Sequence, residues 1–406
     1  MRALLLTPAL PYPPHQGGAL RNYGILRGLH DAKHEISLFS FHDGSLAVDA
    51  TPLPEICERI ITVTPPARSI AHRLRDLALT RQPDLVRRLE TSEARDRLRA
   101  LLTSSRFDLI QFEGLEMAIY LPLARQYQPN AKLIYDAHNA EYALQNTIAS
   151  VEEQSRKRLA AAIYSRVQAR RIARFERAIC AQADGVIAVS GEDADALKPF
   201  RIDRQVYVVP NGIFVDHYTD PPQRRLELGE HVLVFTGKMD YRPNVDAMQW
   251  FTGSVLPLIH ERIPDARLYI VGQKPHASLQ TLREMDQVEV TGWVAEIQPF
   301  LHAAGVYIAP LRMGSGTRLK ILEAMAAGCA VVATSIAVAG LQAEARRAMI
   351  IADSEGDFAN AVIRLLQDPA QRQKLGGEAR TIVRKYYDWS ALIPCLLDIY
   401  GEIGVG

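Results

Sequence analysis

Thirteen short runs rich in Leu, Ile, Val and Ala recur along this chain, and they limit its fold more than any other feature. They cover residues 3–7, 36–41, 59–63, 108–112, 132–136, 185–190, 206–209, 232–236, 267–271, 288–291, 306–310, 330–334 and 349–352. Most are apolar throughout rather than alternating. A strand with one wet face alternates, whereas a strand covered on both faces does not. Longer amphipathic stretches separate the runs. The pattern therefore predicts βαβ units and parallel sheets.

The series restarts midway. Pro210-Asn211-Gly212 is a turn signal, a polar stretch with Pro221 and Pro222 follows, and a fresh strand begins near His231. A chain of 406 residues suits two domains, each large enough for its own core. The expected architecture is α/β, with two Rossmann-like, doubly wound domains facing a cleft. The first takes residues 1–210 and the second 211–388. An amphipathic helix from residue 389 has no strand after it, which leaves residues 389–406 to pack back on the first domain.

Composition removes several classes. Lys+Arg 47 against Asp+Glu 46 leaves a net charge of +1, so no global basic field favours nucleic acid. Cys57, Cys180, Cys329 and Cys395 have no zinc spacing and no disulfide framework, which points to a reducing cytoplasm. The apolar run at 3–6 is too short for a signal-peptide core. Residues 324–341 are mostly small and are interrupted by Gly328, so they read as a buried helix end running into a buried strand.

Ligands of doubly wound sheets bind outside the carboxyl ends of the strands, so the strand-to-helix turns are where chemistry is expected. Four stand out. After the first strand, prolines stiffen a loop in which Gly17 and Gly18 allow close backbone approach at a helix start, a place that favours phosphate. Asp136-Ala137-His138-Asn139-Ala140-Glu141 ends a buried strand. There His138 reads either as a donor to a substrate hydroxyl or as a satisfied histidine, with Asn139 as a helix cap. Gly237-Lys238 with Arg242 sets two cations near a strand end, which suits a diphosphate or two solvated charges. The fourth is Gly314-Ser315-Gly316-Thr317-Arg318-Leu319-Lys320, followed by a helix to Gly328. Gly316 and Thr317 would present backbone N–H groups, Arg318 and Lys320 add charge, and Glu323 lies inside an otherwise apolar helix. That carboxylate needs a partner, either two ribose hydroxyls or an internal cation.

Taken together, the Gly17-Gly18 loop, Asp136 to Asn139, Val209 to Gly212, Gly237-Lys238 and Gly316 to Gly328 stand in an order that resembles the retaining glycosyltransferases of family 4, which have the GT-B fold. The resemblance covers essentially the whole chain. It implies that Glu323 binds the nucleotide ribose, and that Lys238 with the Gly316 and Thr317 amides holds the diphosphate. Gly17 and Gly18 would face the donor, the Trp293-Val294 turn would border the base, and His138 would sit by the donor sugar. The catalytic set is then His138, Lys238 and Glu323. Arg21, Asn22, Asn139 and Glu141 are the acceptor candidates in the first domain. The donor is a nucleotide sugar, the acceptor a saccharide or a lipid-linked saccharide, and neither metal nor cofactor is expected.

The sequence departs from the family in two places. The family often has two glutamates separated by seven residues, and Ser315 replaces the first. The usual second phosphate lysine is also missing, with Asn244 near its position. Arg242, Arg318 and Lys320 are the candidates to replace it. Asp193-Ala194-Asp195 matches a metal motif of another glycosyltransferase fold, but Ser190 before it reads as a helix cap. Arginine-rich stretches at 68–99 and 156–177 offer either solvated helix faces or a peripheral contact with an anionic membrane at the inner face of the cytoplasmic membrane. A sugar epimerase using the same cleft and a non-catalytic binding scaffold are the competing functions.

Overall fold

The computed structural model describes residues 1–14, 17–153, 159–202, 204–220, 226–274, 276–313 and 318–405. The chain divides into two units, one of residues 1–212 with 392–406 and one of residues 213–391. The sequence reading set the crossings at 210/211 and 388/389. Gly316 and Thr317, expected at the diphosphate, and Ser315 lie outside the described residues.

In the first unit, β1 (Arg2–Thr7), β2 (Glu35–Phe41), β3 (Arg59–Val63), β4 (Leu109–Glu113), β5 (Lys132–Ala137), β6 (Gly185–Ala188) and β7 (Tyr207–Val208) form one sheet in the order 3-2-1-4-5-6-7. In the second, β8 (Val232–Thr236), β9 (Arg267–Val271), β10 (Val288–Gly292), β11 (Val306–Ala309), β12 (Val331–Ala333) and β13 (Ile350–Ile351) follow the order 10-9-8-11-12-13. The pairings are parallel, with Leu5 flanked by Leu38 and Gln111, and Val234 by Tyr269 and Tyr307. The apolar runs explain this, since β4 and β8 are buried at every residue. The expected strands all form. The edge strands β7 and β13 are short, at two residues each, whereas the opposite edges β3 and β10 have five. Strand order reverses between β1 and β4 and again between β8 and β11, the positions where doubly wound sheets open a crevice.

Helix ends correct one expectation. The helix Glu141–Glu153 is not capped by Asn139, whose Nδ2 turns to Glu141 Oε1 at 3.2 Å. Its first N–H groups, from Glu141 and Tyr142, donate instead to the buried Glu176 carboxylate at 3.1 and 2.9 Å. Burial pushes Glu176 up to about 7, against these hydrogen bonds. Ser190 does cap the helix Gly191–Leu197, and Asp193 Oδ1 accepts the Ala140 N–H at 2.8 Å, which leaves the Asp193-Ala194-Asp195 stretch working as a helix start.

Most of the arginines between 68 and 99 meet carboxylates. Arg68 pairs with Asp76 and Asp84, Arg87 with Glu90 and Asp76, Arg88 with Glu116, and Arg95 with Glu90. The helix Trp389–Ile403 begins in the second unit and continues into the first. There it packs on glycines: a Cβ at Gly28 would lie 2.1 Å from Ile393 Cγ1, and one at Gly185 would lie 2.4 Å from Ile403 Cδ1. The Tyr400 hydroxyl donates to Gln111 in the middle of β4. Among the described residues, no helix is long and apolar enough to cross a membrane.

Candidate active site

Each unit gathers a polar cluster at the carboxyl end of its central strands. In the first, β4 and β5 deliver Glu113 and Asp136, and the helix Gly17–Asp31 delivers Arg21 and Asn22. Arg21 is 1% exposed and binds both Asp136 oxygens at 2.9–3.1 Å. Its Nη1 reaches the Val209 carbonyl at 2.9 Å and the Asn211 side chain at 3.3 Å. Gln111 Nε2 donates to Glu113 Oε1 at 2.7 Å, and the other Glu113 oxygen pairs with His138 Nε2 at 3.0 Å. Asn22, with its amide oriented to satisfy both ends, donates to the Gly18 carbonyl and to Glu113 Oε2 at 2.9 Å.

These positions give two of the acceptor candidates structural partners. Arg21 and Asn22 face inward because a buried Asp136 and Glu113 require donors. Asn139 and Glu141 stay half-buried at the rim. Glu113, Gln111 and Tyr400 were missed. Two polar residues spaced two apart in the apolar run of β4 were the available signal, since they share one face of the strand.

Electrostatics set the state of His138. Burial alone would lower its pKa, but the Glu113 hydrogen bond and charge, and then Asp136, outweigh it and raise the imidazole above its ordinary value. Burial also raises Asp136, with Arg21 pulling the other way. Glu113, Asp136 and His138 bring ligand atoms within 4.8 Å of one another, a spacing open to a metal, but Arg21 already neutralises Asp136. With Nε2 held by Glu113, Nδ1 has no hydrogen-bond partner among the described residues. A Cβ on Gly18 would lie 3.7 Å from it, so the glycine keeps that edge of the ring open. It borders a cavity of about 510 Å³ lined by Tyr12, Gly18, Asn22, Phe41, His42, Asp43 and His138.

In the second unit the backbone turns after β8 and β9 pack against each other. A Cβ at Gly272 would lie 1.8 Å from the Gly237 carbonyl oxygen, and both glycines have φ +152°. Lys238 follows, exposed, as does Arg242 at the start of the helix Arg242–Trp250. The helix Leu319–Ala326 turns Lys320 and Glu323 toward this region. Lys320 Nζ donates to Asn244 Oδ1 at 2.7 Å and lies 4.3 Å from the centre of the Phe235 ring. Arg318 is 8% exposed, and among the described residues its Nε and Nη2 have no hydrogen-bond partner.

Glu323 accepts the Tyr218 hydroxyl at 3.1 Å, and among the described residues it has no ion pair. Burial raises its pKa, while Tyr218 and Lys320 pull it down. No sequence signal marked Tyr218. Trp293 is 73% exposed, after Gly292 at φ +75°, and Val294 is half-buried beside it.

Comparison with known proteins identifies the class. Residues 16–217 match the family model for Glycosyltransferase Family 4, and residues 230–368 match the model for Glycosyl transferases group 1. Between them they take in most of the chain, which belongs to glycosyltransferase family 4. The chain is 28% identical over 244 residues to phosphatidyl-myo-inositol mannosyltransferase of Propionibacterium freudenreichii, matching 54% of this chain and 57% of that protein. The match thus spans a little over half of that relative's length. Solved structures share the GT-B fold across nearly the whole chain. Sucrose-phosphate synthase of Thermosynechococcus elongatus superposes with a TM-score of 0.71 at 19% identity over 99% of both chains. Anabaena HepE in complex with UDP and glucose gives 0.64 at 15% identity, over 99% of this chain and 100% of that one.

Proposed function

We propose that this chain is a retaining, metal-independent glycosyltransferase that moves a sugar from a nucleoside diphosphate donor to a saccharide or lipid-linked acceptor in polysaccharide or glycolipid synthesis. One observation carries the reading: the buried Arg318, whose Nε and Nη2 have no hydrogen-bond partner among the described residues, with Lys320 and Glu323 on the helix that follows it, beside the Gly237 turn at the crevice of the second sheet. An anion satisfies the first two residues and a ribose diol the third. The UDP in the HepE complex supports a nucleotide as ligand. The mannosyltransferase relative, by its name, supports a lipid-borne acceptor.

The chemistry is departure of a nucleoside diphosphate from an anomeric carbon. Negative charge grows on the leaving phosphate, and cations fixed beforehand stabilise it more in the transition state than in the ground state. Lys238, Arg318 and Lys320 supply that charge from the chain itself, so turnover is expected to survive EDTA. In the first unit, the His138 edge and the polar and aromatic wall of the 510 Å³ cavity suit a sugar ring. With no nucleophile placed for a covalent step among the described residues, front-face attack within an ion pair gives retention, and NMR of the product anomer tests it.

The deciding experiment is thermal stabilisation of the protein by UDP, GDP, ADP and dTDP. A ligand at a hundredfold excess over Kd adds about 2.7 kcal/mol. A shift with one base that disappears in Glu323→Ala supports the reading, and no shift with any of them overturns it. Release of nucleoside diphosphate without acceptor would favour the epimerase, and binding without turnover the scaffold.

A lipid-borne acceptor would bring the protein to the cytoplasmic membrane face. Arg166, Arg170, Arg174 and Arg177 are exposed at helical spacing on the helix Leu159–Gln182 and form the face for an anionic surface. Sedimentation with phosphatidylglycerol vesicles, weakened by salt, is the expected result.

A further inference from the structure

A buried and a half-buried cation with no carboxylate ion pair among the described residues need an explanation. Among the described residues, neither Lys320 nor Arg318 has an acidic oxygen within 4.0 Å, although this chain pairs most of the arginines of its first unit. Lys320 is aimed rather than idle. Asn244 accepts from its Nζ at 2.7 Å and, through its own Nδ2, donates to the Lys238 carbonyl at 2.8 Å. The Phe235 ring lies beneath the ammonium. A Cβ on Gly237 would stand 3.0 Å from Nζ, so the glycine keeps the ammonium open at the end of β8. Asn244 stands near the place where the family usually has its second phosphate lysine.

We propose that Lys320, reaching from the helix after β11 instead of the helix after β8, is the second diphosphate-binding cation of this enzyme, and that Asn244 is the residue that positions it. The inference rests on the nucleotide-sugar reading and names a binding residue within it. Of the three candidates, Arg242 is exposed at a helix start, whereas Lys320 and Arg318 lie together and, among the described residues, neither has a carboxylate ion pair. The cation has changed element while its charge has stayed beside the Gly237 turn.

The charged and titratable groups around Lys320 give the proposal a second readout. Burial, and then Arg318, lower its ammonium to about 7, and Glu323 pulls it back up. Tyr218 occupies Glu323, and Tyr241 touches Arg318. Asn244, Phe235 and Gly237 carry no charge. A bound diphosphate restores the ammonium. Above a pH of about 7 its binding therefore takes up a proton.

Isothermal titration of the full chain with UDP and with GDP, near pH 8 and in two buffers of different ionisation enthalpy, reads both quantities. The wild type is expected to take up a proton with whichever nucleotide it binds. Lys320→Met should weaken that binding about 10- to 100-fold, in line with the loss of one charged hydrogen bond, and remove the uptake. Asn244→Ala should weaken it less, because the ammonium remains but is no longer aimed. Circular dichroism verifies that both variants fold. Lys320→Met binding like wild type with the uptake intact would overturn the proposal. So would the whole loss appearing in Arg242→Gln instead. If the wild type binds no nucleoside diphosphate, the nucleotide-sugar reading fails first and takes this one with it.

Discussion

Arg21 and Asp136 show a polar pair used to hold a site rather than to meet a ligand. Both side chains are buried, and Arg21 also gathers the Val209 carbonyl and the Asn211 side chain, tying the first helix to the turn that leaves the unit. Removing one partner strands the other charge. Arg21→Met is therefore expected to cost about 3–5 kcal/mol in urea unfolding, and Arg21→Met with Asp136→Leu noticeably less. A different effect is expected at Glu113, whose substitution acts on chemistry through His138. Side-chain NMR should show the His138 pKa falling in Glu113→Gln, since burial then acts with less opposition. The sign for stability follows. A histidine raised above its unfolded value of 6.5 stabilises the fold fully below that pH and loses the contribution as pH rises through its folded value. The acid-side gain should shrink in Glu113→Gln.

Elements were the legible scale. Runs such as 232–236 and 306–310 announce buried parallel strands because nothing in them faces water, and the motif glycines mark the turns where the chain must leave the sheet. Partners were not legible. Glu176 caps a helix 35 residues earlier, Tyr218 holds Glu323 across 105, and Asn244 holds Lys320 across 76. No local rule of spacing reaches that far, and which way a side chain points depends on helix rotation fixed only by packing. The inward turn of Arg21 has the same cause: a helix start near a phosphate loop looks ligand-facing until the strand beside it is known to carry Asp136. At this scale Gly28 is the sensitive contact. Gly28→Val should lower stability by about 1–3 kcal/mol through collision with Ile393, and Ile393→Ala in the same chain should recover part of it. Melting temperatures of the single and double variants check this.

At the scale of the molecule, the three tryptophans provide a selective probe. Trp250, Trp293 and Trp389 all belong to the second unit, Trp389 at the start of the helix that continues into the first, so their fluorescence reports chiefly the second unit, whereas far-UV circular dichroism reports both. In Arg21→Met the dichroism transition is expected to move to lower urea than the tryptophan transition. Coincident transitions would mean that the two units unfold as one. The helix Trp389–Ile403 carries a further consequence, for the order of synthesis. The first unit supplies the opening residues of the chain, yet the Tyr400 hydroxyl that meets Gln111 emerges 289 residues after it. At ribosomal speeds of about 5–20 residues per second, the surfaces around Gly28 and Gly185 stay bare for tens of seconds. The packing of the first unit is thus completed only once residues 393–403 have been made, and a chain cut before residue 392 is expected to form two sheets but no finished first unit.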